Sequence, residues 1–430
     1  MNVLIIGSGG REHVLAWKIS QSPHLTRLFI TPGNAGTSSI GQNMAVNVSD
    51  FNGIRQLCLD KQIGMVVVGP EAPLVDGIHD FFLADPALKG ITVIGPRRNA
   101  AMLEGSKDFA KAFLTRNQIP TARYSSFTKH EANDALDFLK SMTPPYVIKA
   151  DGLAAGKGVV ICKDLPEAER EVKSMLIDTK FGEAGHKIVI EEFLQGIEIS
   201  AFVLTDGIHY QILPSAKDYK RIGEGDTGPN TGGMGSVSPV PFANEIFNKK
   251  IEEKIIAPTI RGLISEGIEY KGFIFFGLIN VNGEPFVIEY NARMGDPEAE
   301  SVIPRIKNDL LEMFMAVGDQ TLDRFTVETD PRYAATVMLV SEGYPGSYEK
   351  NKPIAGLDEV KDSIVFHAGT SFDQEKQQVI TRGGRVLALT SFGATLQEAF
   401  DKSYKNAYLI RFENKAYRKD LGKDLMKYVF

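Results

Sequence analysis

The sequence predicts a multidomain α/β chain, and three observations lead to that reading. Apolar β-type runs alternate with helical patterns through the first hundred residues, as in a parallel sheet with crossovers. Polar, glycine-containing loops follow those runs, where open α/β sheets bind ligands. Two later pairs of β-type runs read as hairpins, one around a glycine-containing loop and one around Asn282-Gly283, a strong reversal signal.

In order, strands are expected at Val3–Ile6, Leu28–Thr31, Met65–Val68 and Ile91–Ile94, with helices at Glu12–Ser20, Ile54–Lys61 and Val75–Leu83. The loops between them read GSGGREH (7–13), TPGNAGT (31–37) and GPEAPLVDG (69–77). The first fails the dinucleotide fingerprint, because Glu12 stands where the third glycine belongs. Arg11 and the helix N-terminus would suit a single phosphate; the plain alternative is a surface arginine paired with Glu12. Glu71 would accept from sugar hydroxyls or cap the helix behind it. One amphipathic helix is expected over 99–116, ended by Pro120.

Residues 145–163, PYVIKADGLAAGKGVVICK, read as a strand–loop–strand hairpin. Gly152, Gly156 and Gly158 let backbone N–H groups approach an anion, and Lys149 and Lys157 bracket them with positive charge. This is not a Walker A loop: the spacing is one residue short and a strand follows. In EEFLQGIEIS the apolar pair Phe193 and Leu194 lies among Glu191, Glu192 and Glu198, a composition that suits an adenosine or a solvated strand. The stretch 217–239 is too long, charged and glycine-rich for an ordinary linker. On the strand ending at Asn291, alternation places Glu289, Asn291 and Arg293 on one face. A carboxylate and an amide oxygen so placed suit Mg²⁺, with Arg293 available to neutralise a transferring phosphoryl group. Residues 330–430 read as a separate α/β domain with a helix at Thr395–Tyr404 and a strand at Ala407–Phe412; His367 reads there as a structural histidine.

Composition narrows the function classes. The chain has 430 residues and a formal net charge of -6, which disfavours a broad nucleic-acid surface. Its two cysteines, Cys58 and Cys162, form neither a disulfide framework nor a zinc motif, and the cytoplasm is expected. No long uncharged apolar run predicts a membrane span.

Taken in order, GSGGREH, TPGNAGT, GPEAPLVDG, LEGSKDFAK, IKADGLAAGKGV, IVIEEFLQG, DTGPNTGGMG, IEYNARMGDPEAE and VFHAGT resemble the phosphoribosylamine–glycine ligase family of the ATP-grasp superfamily, almost end to end. The resemblance implies a pre-ATP-grasp domain over 1–103, an ATP-grasp core over 104–329 with a lid inserted at 123–192, and a C-terminal domain over 330–430. It implies ligation of glycine to 5-phosphoribosylamine with ATP and Mg²⁺ (or Mn²⁺), by a monomer. Lys107, Lys149, Gly156, Lys157 and Gly158 are then expected on the ATP phosphates, Glu191, Phe193, Leu194 and Glu198 around adenosine, and Glu289 and Asn291 on the metal. Arg293, Lys149 and Asp218 are the catalytic candidates. Gly10, Arg11, Asn34, Glu71, Asp226, Asn230 and Gly232 are the substrate-side candidates. Many family members have Phe at the place of Met294, Cys at that of Ala292 and Gln near Glu300. Related enzymes often add a metal-binding acid on the neighbouring strand, and 272–281 has none. Three rivals are another ligase with the same core, a nicotinamide-dependent oxidoreductase, which Glu12 opposes, and a non-catalytic nucleotide-binding regulator, which the retained lysines and metal pair oppose.

Overall fold

The computed structural model describes residues 1–154 and 158–429. Five parallel strands open the chain: β1 (Asn2–Gly7), β2 (Arg27–Pro32), β3 (Gln42–Asn43), β4 (Ile63–Val68) and β5 (Thr92–Ile94), in the order β3-β2-β1-β4-β5. Their uninterrupted apolar runs suit a sheet covered on both faces. The helix α1 (Gly10–Ile19) leaves the C-terminal end of β1, and its buried face joins the core between this sheet and the next.

A small antiparallel sheet follows, made of β6 (Tyr124–Thr128), β7 (Tyr146–Ala150), β8 (Val159–Cys162) and β9 (Lys187–Glu192) in the order β6-β9-β7-β8. Helices Ala132–Lys140 and Leu165–Leu176 cover one face of it. Phe127, Leu139, Ile148, Val172 and Ile190 form a core of its own, so this unit holds together apart from the rest.

The main sheet has nine strands. It is built from β10 (Ile197–Thr205), β11 (Tyr210–Asp218), β14 (Gly235–Ser238), β15 (Gly272–Val281), β16 (Glu284–Asn291), β17 (Tyr333–Ser341), β18 (Ile364–His367), β21 (Arg385–Gly393) and the short β22 (Lys415–Ala416). The order is β16-β15-β10-β11-β14-β17-β21-β18, with β22 beside β17. Two ribbons stand off it: β12 (Arg221–Gly223) with β13 (Thr227–Asn230), and β19 (Thr370–Asp373) with β20 (Gln378–Thr381). Strand β14 pairs with β17. The strands beyond residue 330, expected to stand apart, therefore extend the sheet of the preceding segment.

Three expected elements differ. The single helix over 99–116 is two, Arg98–Gly105 and Lys107–Arg116, because Ser106 caps the second by accepting from the Phe109 N–H at 3.1 Å. The helix behind Glu71 is likewise two, Glu71–Asp76 and Ile78–Ala84, parted at Gly77, whose φ is 91°. No strand forms over 407–412; the helix runs Leu396–Leu409, and Lys415 Nζ donates to the carbonyls of Ala407 and Ile410 at its end. Among the described residues, no helix is long and apolar enough to cross a membrane.

Candidate active site

Strand β16 sets the chemistry. Up to Val287 its odd-numbered residues are buried; afterwards Tyr290 is buried while Glu289 and Asn291 are half-exposed. The cause is a bulge: Val287 pairs with Leu278 but Glu289 with Gly277, leaving Ile288 as the extra residue. The bulge turns Glu289 and Asn291 into a cleft that a regular strand would have hidden from them. Asn291 is best satisfied with its amide nitrogen donating to Tyr290 C=O at 3.3 Å and Glu104 Oε1 at 3.0 Å, which turns the oxygen away from both acceptors. Among the described residues no group of three or more His, Cys, Asp or Glu side chains could hold a metal. One carboxylate and one amide oxygen instead fit a hard cation that completes its shell with water and phosphate oxygens.

Arg293 follows on the same edge. Its Nη2 lies 2.9 Å from Glu104 Oε1 and its Nε 3.4 Å from Glu71 Oε2. Glu71 thus neither caps a helix by its side chain nor stands free. It is ionised below the usual range: Arg293 and Arg11 outweigh the opposing effect of its burial.

At the other end of the cleft, Lys149 Nζ lies 2.8 Å from Glu191 Oε1 and 3.2 Å from the Ile288 carbonyl. Lys111 meets the second oxygen of Glu191 at 2.8 Å and donates to Thr121 Oγ1 at 2.7 Å. All three charged side chains are at most 5% exposed. Lys107, one turn before Lys111, donates to the Gly152 carbonyl at 3.2 Å. Burial lowers the pKa of Lys107 against the pull of Glu289. Phe193 is exposed to the cleft beside half-buried Leu194. Glu198 binds Lys220 at 2.8 Å.

The N-terminal loops are organised by Glu12. Its Oε2 accepts from the Gly9 N–H at 2.5 Å, and its side chain fills the space where Cβ atoms at Gly7 and Gly69 would stand. The carboxylate that breaks the fingerprint is therefore the part that packs two strand ends together. Arg11 Nε pairs with Glu12 Oε1 at 2.7 Å and its Nη1 donates to Met294 C=O at 3.2 Å. Arg11 pairs with Glu12, as the plain alternative expects, but it is buried rather than on the surface and borders the cleft. Asn34, expected on the substrate side, spends its amide inside the protein. It donates to Ser8 C=O at 2.9 Å and His367 C=O at 2.7 Å, and accepts from the N–H groups of Gly36 and Thr37. Gly10 lies against buried Glu300.

His367 joins the same knot: its N–H donates to His13 Nδ1 at 2.7 Å, and the two rings sit 5.6 Å apart. Burial pushes His13 down to about 3 and His367 down to about 4, so both imidazoles are neutral. The unfolded chain takes up these protons near pH 6.5 and the folded chain only below 4, so folding stability should fall as pH drops through that window. Urea midpoints between pH 7 and pH 4.5 should decline less steeply in His13→Gln than in the native chain. Equal slopes would remove His13 from this account.

In the long glycine-rich segment, Asp218 ends β11 and faces Lys220, Glu198 and Glu289; burial raises its pKa. Asp226 is held by Arg418 at 2.7 Å, and Asn230 pairs with Arg221 across the β12–β13 ribbon. The Gly232 N–H donates to Tyr344 Oη at 2.9 Å. Glu298, a buried acid bordering the cleft, accepts from Ser200 at 3.2 Å and is pushed up to about 8 by burial and Asp218.

One cleft of about 1100 Å³ gathers Arg11, Glu71, Lys107, Lys149, Gly158, Glu191, Phe193, Leu194, Glu198, Asp218, Asp226, Asn230, Gly232, Glu289, Asn291 and Arg293. Asn34 and Gly10 support it from behind. Gly156 and Lys157 lie outside the described residues. The sequence reading missed Glu104, Lys111, Glu298 and Arg385. Lys107 and Lys111 share one helix face at i and i+4, whereas Glu104 belongs to the preceding helix, beyond the break at Ser106.

A nucleotide-sized cleft between a small antiparallel unit and a larger sheet, with buried lysines at one end and an acid–amide pair at its centre, defines an ATP-grasp protein. The fold is shared with the biotin carboxylase of Campylobacter jejuni, which superposes with a TM-score of 0.73 at 15% identity, over 99% of this chain and 95% of that one. Models of the phosphoribosylglycinamide synthetase N domain, ATP-grasp (A) domain and C domain match residues 1–104, 105–299 and 334–424. The chain is 47% identical to phosphoribosylamine–glycine ligase of Salmonella typhi over 427 residues, 98% of each chain. The crystal structure of the Thermotoga maritima phosphoribosylamine–glycine ligase matches with a TM-score of 0.84 at 36% identity, covering 98% of this chain and all of that one. The chain belongs to the phosphoribosylamine–glycine ligase family.

Proposed function

We infer that this chain joins glycine to 5-phosphoribosylamine with ATP, giving glycinamide ribonucleotide, ADP and phosphate. The observation that carries this reading is the single cleft running from Lys149 and Phe193, past Glu289 and Asn291, to the glycine loops at 7–11 and 230–232. Its volume is large for one small ligand and leaves room for a second substrate beside the nucleotide. Its relatives' activity supports the same reading.

A carboxylate is a poor acyl donor, so glycine is first converted by ATP to an acyl phosphate. The amine of phosphoribosylamine then attacks the acyl carbon, and phosphate leaves. Lys149, aimed by Glu191 and the Ile288 carbonyl, and Lys107 beside it hold the nucleotide phosphates. Phe193 and Leu194 offer apolar faces to adenine, and Glu198 an acceptor to the ribose. Glu289 and Asn291 would hold Mg²⁺, or Mn²⁺, whose charge offsets that of the phosphates. Arg293 is fixed by Glu71 and Glu104 where negative charge grows on the transferring group. Asp218, its proton affinity raised by burial, is placed to take the proton shed by the attacking amine. The small sheet unit within 123–192, with its separate core, serves as the lid that excludes water from the acyl phosphate. The remaining divisions of this reading are 1–103, 104–329 and 330–430, the last sharing the main sheet with the core.

The test is phosphate release from ATP, Mg²⁺, glycine and freshly generated phosphoribosylamine, with each component omitted in turn. Release should require all four and should match the ribonucleotide formed. Release with a different amine, and none with phosphoribosylamine, would favour the rival ligase reading.

A further inference from the structure

Arg385 enters the cleft from a strand well outside the segment that carries the metal pair. It begins β21, just after the Gly383-Gly384 turn. Its position is tightly fixed. Its carbonyl accepts from the Gly369 N–H at 2.8 Å, and a side chain at Gly384 would collide with the Tyr344 ring. Its guanidinium ties two active-site loops together. Nη1 donates to Gly232 C=O at 2.6 Å and to Asp296 C=O at 2.7 Å, and Nη2 lies 3.0 Å from Asp296 Oδ1. The other oxygen of Asp296 faces the Arg11 N–H at 3.4 Å, at the start of α1. Arg385, Asp296 and the 9–11 turn therefore form one continuous contact.

A guanidinium carries five N–H donors, and hydrogen bonds from Nη1 use two of them, Nη2 adding only the ion-pair approach to Asp296 Oδ1. Among the described residues no acceptor meets the Nε–H, and the side chain retains 19% of its exposure on the cleft wall. Its surroundings differ from those of the nucleotide lysines. The charged and polar neighbours of Arg385 are Asp296, Tyr344, Glu300 and Arg11, whereas those of Lys107 are Glu289, Lys149, Asp151 and Glu104. Arg385 thus serves the end of the cleft bounded by the strand ends of the N-terminal sheet. Arg11 is the other guanidinium there; it is held by Glu12 and Met294 and its side chain is the more deeply buried, 9% exposed against 19% for Arg385.

We propose that Arg385 binds the 5-phosphate of the phosphoribosyl substrate, together with backbone N–H groups of the 9–11 turn, and so makes the C-terminal segment part of the substrate site. This rests on the ligase reading above and adds to it the residue that recognises the phosphate. A purely positioning role, holding Gly232 and Asp296 in place, is the competing account.

The two are separated by a pair of probes: glycinamide ribonucleotide, the product, and glycinamide riboside, the same molecule without phosphate. Binding of each is measured by calorimetry to the full native chain, to Arg385→Gln and to Arg385→Lys. Arg385→Gln should weaken ribonucleotide binding roughly 10- to 150-fold, the range for one lost charge-assisted hydrogen bond. Riboside and ATP binding should stay as in the native chain. Arg385→Lys, which keeps the charge but not the fork, should fall between them and also serves if the glutamine variant folds poorly. Equal weakening of both probes means that Arg385 only positions loops, and no weakening of either removes it from the site; both results overturn the proposal. Weaker glycine binding with unchanged ribonucleotide binding would assign the guanidinium to the wrong anion. A native chain that fails the four-component assay would refute the ligase reading itself, and the probe comparison would still report on Arg385.

Discussion

Glu289→Ala is expected to lower turnover by at least about 100-fold, the scale for losing a major electrostatic contribution to a charged transition state. The expectation follows from the bulge at Ile288, which turns Glu289 and Asn291 together into the cleft. No group of three or more metal-binding side chains forms among the described residues, so the proposed site would keep only Asn291 of its two protein ligands. Steady-state turnover at saturating Mg²⁺ is the measurement. The fold should survive, because Glu289 is half-exposed and forms no ion pair among the described residues. Turnover near that of the native chain would remove Glu289 from the metal site.

Glu191→Ala should act on stability first. Its two oxygens meet Lys149 and Lys111 at 2.8 Å each, and all three side chains are at most 5% exposed. Removing the shared anion leaves two buried ammonium groups facing one another. Breaking a buried pair in this way costs about 3–5 kcal/mol. Some of that is relieved by proton loss, because Lys111 already has its pKa lowered to about 8, chiefly by desolvation. Urea unfolding should therefore show a lower midpoint at pH 7, with part of the loss recovered at pH 9. The apparent KM for ATP should rise as well, since Lys149 loses the partner that aims it. An unchanged midpoint would mean that solvent reaches this trio in a way its burial does not indicate.

What was legible in the sequence depended on how local the cause is. The Asn282-Gly283 reversal is a matter of two residues' backbone angles, and both have positive φ, 51° and 85°. The acid–amide pair on β16 was visible from alternation, although the strand reaches that outcome through a bulge whose parity change no period-two count contains. Arg385 was missed because its partners lie 153 and 89 residues away, at Gly232 and Asp296, and nothing around GGRVL signals a guanidinium bound for a cleft. The nucleotide-side role of Glu191 was assigned without its two lysines, because Lys111 reads as one more polar position on an amphipathic helix until Thr121 and Glu191 are brought against it. Glu12 shows the converse. Its conflict with a dinucleotide fingerprint was plain in the sequence, but only the packing of Gly7 and Gly69 around its side chain explains what stands there instead.

The pairing of β14 with β17 bears on how this chain can be divided. Residues 235–238 contribute one strand, and the partner on its far side comes from 334–337. A fragment ending near residue 329 would keep every nucleotide-side lysine and the acid–amide pair, yet present β14 as an open edge with unpaired N–H and C=O groups. It would also lose the anchors of the glycine-rich segment, Arg418 on Asp226 and Tyr344 on Gly232. The C-terminal hundred residues thus cover the edge of β14 and anchor the glycine-rich segment, and residue 330 falls between strands of one sheet.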